Sequence, residues 1–317
     1  MAVPGKAASR VFLTGASGFI GSHLLQEFLR VGCVVEALIR PETRMPNVPA
    51  APGHLTILRG TLDDPESVGR GIARFEPDVV IHAAWRGVDS TARQDEGQPA
   101  NAGRTLALAD ASVAAGVRRF LAFGSMAEYG PCAGHIAEDH PTVPHTRYGA
   151  AKLAALDGLR LRYGAGGRRL IWMRPFALYG PGEGRGWLIP DLIATLLSGQ
   201  RPALSPGGQV RDYLHVADAA EAVVHMALRE DIEGVFNLGS GQGVTIRRMA
   251  EMVRDRIDPK LTLGFGDRPY STGEPDEIVA NVERIRGITG WSPKTQLTDG
   301  LTETVEWYRL RARGSQP

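Results

Sequence analysis

Through the first 175 residues, short apolar runs alternate with helix-length amphipathic patterns, and this rhythm restricts the fold more than any other feature of the chain. VFLTG (11–15), VVEALI (34–39), LTILRG (55–60), DVVIHAA (78–84), RRFLAFGS (118–125) and RRLIWMRP (168–175) read as strands. Helical patterns fill the gaps. One follows the first strand to about Arg30, one opens at Asp64-Pro65, one crosses the Ala-rich stretch 100–115, and one starts near Tyr148. Strands that are almost wholly apolar need cover on both faces, and intervening helices supply it as βαβ crossovers. The fold class that follows is α/β, with a doubly wound parallel sheet. After Pro175 the rhythm breaks. Gly and Pro cluster at 180–186 and 202–208, and helical patterns recur at about 188–199, 216–229, 245–257 and 299–312. That half reads as a smaller C-terminal α/β domain.

The first strand runs into Thr14-Gly15-Ala16-Ser17-Gly18-Phe19-Ile20-Gly21, and a helical pattern follows at once. Glycines there allow a tight turn, close approach to a pyrophosphate and tight packing of helix on sheet, while the helix start offers free N–H groups to phosphate. The spacing alone arises by chance about 0.6 times in a chain with 39 glycines, so its position between strand and helix carries the signal. This is a Rossmann-type arrangement. Gly15, Ser17, Gly18, Phe19, Ile20 and Gly21 are the expected cofactor-binding set. Residues 1–175, with a return at about 212–240, form the expected dinucleotide-binding domain; 176–211 and 241–317 form the expected substrate domain. At the end of the second strand an acid would bond the adenosine ribose. The chain has Ile39-Arg40 there, with Arg44 close behind, so NADP(H) is the favoured cofactor and NAD(H) the alternative.

Tyr148-Gly149-Ala150-Ala151-Lys152 places Tyr and Lys one helical turn apart on the same face. With seven Tyr and four Lys, such a pair is expected by chance only about 0.1 times. A phenol with an ordinary pKa near ~10 must drop about 3 units, or ~4 kcal/mol, to act as a base at neutral pH. A neighbouring ammonium and a cationic nicotinamide provide energy of that order.

Composition excludes other classes. Formal net charge is +1, from 36 basic and 35 acidic residues, so no global field draws nucleic acid or an anionic membrane. Cys33 and Cys132 make neither a disulfide framework nor a metal-ligand set, and no metal is expected. No apolar run approaches the ~18 residues of a membrane span. Residues 1–10 lack the apolar core of a secretory signal and read as a short disordered lead-in. A cytoplasmic location is the expectation.

Over residues 10–312 the chain resembles the extended short-chain dehydrogenase/reductase family, in particular its nucleotide-sugar epimerases, dehydratases and 4-ketoreductases. The matching segments are TGASGFIG (14–21), VIHAA (80–84), Asn101 with Thr105, FGSMAEYG (123–130), YGAAK (148–152), RPFALYGPG (174–182), GGQVRDYLHVAD (207–218), and Arg268 ahead of Gly290-Trp291-Ser292-Pro293. The resemblance implies Ser125, Tyr148 and Lys152 as catalytic residues. It adds Leu62, Ala83, Ala84, Asn101 and Pro175 to the cofactor set, with Tyr148 and Lys152 also reaching the nicotinamide ribose. It implies Trp85, Met126, Glu128, Arg174, Trp187, Arg211 and Arg268 for a nucleotide-diphosphate sugar, the last two on the diphosphate. A homodimer formed through the helices near 100–115 and 149–163 is implied as well.

Three departures from the family pattern matter. Ala177 stands where many relatives carry Asn. Met126-Ala127 replace the Asp-Glu pair that follows the catalytic hydroxyl in 4,6-dehydratases. Trp85 replaces a small or polar residue, either narrowing the sugar site or packing. The expected reaction is hydride exchange at the sugar C4, with Tyr148 and Ser125 on its oxygen and Glu128 acting on a neighbouring carbon or serving structure. Arg40 favours a 4-ketoreductase over an epimerase; dehydratase ranks third, and a non-catalytic dinucleotide sensor last.

Overall fold

The computed structural model describes residues 8–43, 53–89, 91–271, 273 and 275–314. Arg44 and residues 1–7 of the expected lead-in lie outside them. The first half runs β1 (Arg10–Thr14), α1 (Phe19–Arg30), β2 (Val34–Ile39), β3 (Leu55–Arg59), α2 (Pro65–Phe75), β4 (Val79–His82), α3 (Gln98–Ala114), β5 (Arg119–Phe123), β6 (Gly134–Ile136), α4 (Arg147–Tyr163) and β7 (Arg169–Pro175). The second half runs β8 (Ala177–Tyr179), α5 (Leu188–Leu197), β9 (Ala203–Leu204), β10 (Val210–His215), α6 (Val216–Ala227), β11 (Gly234–Leu238), β12 (Gly243–Thr245), α7 (Ile246–Ile257), β13 (Gly264–Phe265), β14 (Glu277–Ala280), α8 (Glu283–Thr289) and α9 (Leu297–Gly314).

Seven strands form one sheet in the order β11-β7-β5-β4-β1-β2-β3, and every pairing from β3 across to β7 is parallel. The order reverses beside β1, which opens a crevice at the carboxyl ends of β1 and β4. The central strands are buried on both faces: Phe12 and Val80 on one side, Val11 and Leu13 on the other, all at 0% exposure. One face packs against Val68 and Ile72 of α2, Leu108 and Ala109 of α3, and Ala155, Leu156 and Leu159 of α4. Local chemistry sets the helix starts. The Asp64 carboxylate accepts from Ser67 N–H ahead of Pro65, and the Thr146 hydroxyl accepts from Gly149 N–H at the head of α4.

The chain divides into two compact units. The first comprises 1–130, 144–174 and 220–236; the second comprises 131–143, 175–219 and 237–317. The second unit holds β12, β10, β14, β6 and β8 in one small sheet, the pair β13-β9, and a core between α5, α7 and α9 built on Ile193, Met249, Val253 and Leu301. The sequence rhythm did not announce β6, β8, β9, β12, β13 or β14. Each spans two to four residues, too short for a period to develop.

Candidate active site

The site in the first unit begins with the turn after β1. Gly15 has φ of 78°, and a Cβ there would sit 2.6 Å from the backbone of Ala83. At Gly21 a Cβ would lie 2.0 Å from the Gly15 carbonyl oxygen. Only glycine allows β1, α1 and the end of β4 to approach this closely. Helix α1 starts at Phe19 with no side-chain cap and no acid in its first turn. Its positive end is left uncompensated, which suits phosphate.

A cavity of about 400 Å³ lies beside this turn. Gly15, Ser17 and Gly18 line it with Arg40, Leu62, Ala83, Ala84, Trp85 and Asn101, so eight of the expected cofactor residues share one cavity with Trp85. Phe19, Ile20 and Gly21 form the adjoining first turn of α1. The residues fit a dinucleotide: a backbone cradle that a Cβ would fill, an open helix start, and strand-end walls. Pro175 belongs to the other unit. At the rim, Arg40 lies 3.4 Å from Glu42, both well exposed, while the acid within β2, Glu36, is buried and paired with Arg74 at 2.9 Å. The end of β2 therefore brings a guanidinium to the cavity.

Sequence reasoning missed several contributors. Thr61, Arg86 and Arg104 also line the cavity, and Arg86 and Arg104 both bind Asp63. The Arg104 and Arg86 hydrogen bonds hold the Asp63 carboxyl down at about 2. The place of Thr61, two residues beyond β3 at a strand end, was the available signal. The Asn101 amide grips the Arg86 peptide from both sides, donating to its carbonyl at 2.9 Å and accepting from its N–H at 3.3 Å. Gln98 donates to the carbonyls of Gly87 and Ala92 and accepts from the Trp85 indole. Together they hold the loop after β4.

The second part of the site joins the ends of β4 and β5 to the start of α4. The Ser125 hydroxyl caps the turn at 126–128, accepting from Ala127 N–H at 3.1 Å, and hydrogen-bonds the Tyr148 side chain. Tyr148 is 7% exposed and Lys152 3%. Lys152 Nζ donates to the Phe123 carbonyl at 2.6 Å, sits 3.6 Å from the Trp85 ring centroid and 5.7 Å from that of Tyr148. Burial pushes the Lys152 ammonium down to about 7, with Glu128 opposing. Burial pushes the Tyr148 phenol up, while the Ser125 hydrogen bond and the Arg93 guanidinium, 5.4 Å from the ring centroid, pull it back. These groups by themselves favour the protonated phenol. Burial also drives His82 down to about 3, so its ring is neutral in the chain Thr14–His82–Thr105.

Two residues expected at the sugar, Glu128 and Arg174, are paired with each other inside the protein, which favours the structural role of Glu128. Glu128 is 0% exposed and Arg174 3%. The Glu128 carboxylate accepts from Ser125 N–H at 2.8 Å, from the Trp172 indole at 3.1 Å and from Arg174 Nε at 2.8 Å. Both charges are consumed inside the protein, so neither faces a substrate. Met126, beside Ser125, is half-buried. In the second unit Trp187 is the half-buried N-cap of α5. Arg211, half-buried in β10, donates to the Val210 carbonyl at 2.8 Å, and the Arg268 side chain is exposed. Among the described residues no cluster of three His, Cys, Asp or Glu could hold a metal ion, and both cysteines are free thiols.

The sequence model of the NAD dependent epimerase/dehydratase family matches residues 11–239. The chain is 30% identical to a UDP-glucose 4-epimerase of Azospirillum brasilense, over 96% of this chain and 93% of that protein. It is 28% identical to a dTDP-glucose 4,6-dehydratase of Actinoplanes sp., over 95% and 98%. The solved structure of MoeE5 in complex with UDP-glucose and NAD superposes with a TM-score of 0.84 at 28% identity, covering 96% of this chain and all of that one.

Proposed function

Because the chain belongs to the NAD dependent epimerase/dehydratase family, we propose that it is a nucleotide-sugar 4-epimerase that keeps NAD bound throughout its cycle. The carrying observation is the Ser125–Tyr148–Lys152 constellation built into the same unit as the glycine turn and its cavity. When bound, the nicotinamide would accept a hydride from the sugar and return it. Every proton belongs to the protein. Tyr148 takes the proton from the C4 hydroxyl and gives it back, and Ser125 bonds the same oxygen. Burial opposes the phenolate, so the nearby ammonium of Lys152 and the positive ring must together offset more than the roughly 4 kcal/mol that an ordinary phenol would need.

The 4-ketoreductase expectation yields to the epimerase, which the relatives of matching length favour. One observation keeps the reductase as a second reading: Arg40, not an acid, lines the cavity at the end of β2. A guanidinium there suits the 2′-phosphate of NADP(H), whereas the family and the NAD complex of MoeE5 favour NAD. A dehydratase is disfavoured because Met126-Ala127 stand in place of the Asp-Glu pair, and the one neighbouring acid, Glu128, is tied to Arg174. Denaturing the purified protein and identifying released nucleotides by mass spectrometry separates the two readings. Retained NAD supports the epimerase. A site filled only by added NADPH supports the reductase.

The first unit is the proposed cofactor domain and the second the proposed sugar-nucleotide domain, where Arg211 and Arg268 would offer forked donors to a diphosphate. We further propose a homodimer through α3 and α4, on whose surface Leu161 is 85% exposed, and a cytoplasmic location. Among the described residues no helix is long and apolar enough to cross a membrane. Light scattering that finds only monomer at micromolar concentration would count against the dimer.

A further inference from the structure

Lys152 carries a buried charge whose natural counter-ion is already committed. Its Nζ has the Phe123 carbonyl on one side and the face of Trp85 on the other. The nearby acid is Glu128, which Arg174, Trp172 and Ser125 N–H already occupy. The remaining charged or titratable groups around the pair are Tyr148 on its own helix, Arg93 from the loop before α3, and neutral His82 from β4. Trp85 itself does not float. Its indole N–H donates to Gln98 Oε1 at 2.9 Å, and Gln98 is locked to two loop carbonyls. The ring meets Tyr148 edge-on, with 6.1 Å between centroids and an interplanar angle of 88°. One rigid ring thus offers its negative face to the ammonium and contacts the phenol.

We propose that Trp85 is a positioning residue for the catalytic pair: its indole face holds the Lys152 ammonium in place of a carboxylate, and its contact with Tyr148 fixes the distance between ammonium and phenol. A π face attracts the cation yet cannot accept its proton or pair fully with it. The ammonium therefore keeps its field for Tyr148 instead of being neutralised by an acid. Because burial brings Lys152 down to about 7, a modest aromatic stabilisation decides how much of it is charged at working pH. This inference rests on the reading of Tyr148 and Lys152 as catalytic.

The test exploits the scarcity of lysine. The chain has four: Lys6, Lys152, Lys260 and Lys294. In the full chain with isotope-labelled lysine, NMR follows the Lys152 side chain through a pH titration, with Lys152→Met giving the assignment. Trp85→Phe keeps a π face and should leave the acid constant within about threefold of wild type. Trp85→Leu keeps the site apolar but removes the face, and should release the proton about tenfold more readily. Trp85→Met repeats that comparison if the Leu variant does not fold. In turnover, the alkaline limb of kcat should move down with the NMR value while KM for the sugar nucleotide stays constant. Identical titrations in wild type, Phe and Leu or Met variants would overturn the proposal. So would a raised KM with unchanged kcat, which would make Trp85 a wall of the sugar site. The NMR arm needs no substrate, so it judges Trp85 even if no nucleotide sugar is turned over, an outcome that would instead sink the epimerase reading.

Discussion

Two buried charged sites lie in the first unit, and they are built in opposite ways. Glu128 and Arg174 neutralise one another in the interior, with every oxygen of the carboxylate engaged. Lys152 is as deeply buried but has a carbonyl and an aromatic face for company. The first arrangement serves the fold, because a satisfied pair has nothing left to offer a ligand. The second leaves the fold carrying a cost, since the charge is desolvated with no full partner. A charge kept at such a cost beside a phenol is arranged to act on that phenol.

The largest expected effect breaks the satisfied pair. Glu128→Ala strands the Arg174 guanidinium in the interior and should lower unfolding free energy by about 3–5 kcal/mol in a denaturant titration. A loss below about 1 kcal/mol would mean that the pair is not structural. Lys152→Met should do the reverse. Turnover should fall by about 100-fold or more, while stability rises by roughly 2–4 kcal/mol at pH 6 as the desolvated charge disappears. The sign follows from a native pKa near 7 against an ordinary 10.5. The unfolded chain binds more protons between those values, so wild-type stability climbs with pH across that window. The advantage of Met should be largest below pH 7 and gone above about 10.5, as thermal melts across pH would show.

The smallest effect extends the comparison to the second unit. Glu183 is 8% exposed, its Oε2 has no hydrogen-bond partner among the described residues, and burial followed by Asp191 lifts its carboxyl to about 8. The native state holds more protons than the unfolded chain between 4.5 and 8, so this group erodes stability as pH rises through that range. Glu183→Gln should gain about 1–2 kcal/mol above pH 8 and nothing below about pH 4.5. A gain that does not depend on pH would assign the effect to packing.

The parts of this contrast differed in how openly the sequence displayed them. The parallel sheet was legible because its central strands are mostly apolar runs alternating with helical patterns, and the glycine turn because its chemistry is confined to eight consecutive residues. Tyr148 and Lys152 were legible for the same reason, one turn apart on one helix. The pairing of Glu128 with Arg174 was not legible because 46 residues separate them and only tertiary packing brings them into contact. The packing of Trp85 was hidden likewise, since its neighbours come from α3 and α4. The cofactor reading leaned on Arg40, with Arg44 behind it and no acid at the strand end; one strand end carries less weight than whole-length relatives.

The most direct test compares wild type and Tyr148→Phe for C4 epimerisation across a panel of nucleotide-linked sugars, with retained nucleotide measured in the same preparations. Wild type should epimerise at least one of them, and the variant should keep its bound dinucleotide and its fold while turnover falls by about 1,000-fold. Turnover in the variant within a few-fold of wild type would contradict it, because the reaction would then need no proton from the phenol.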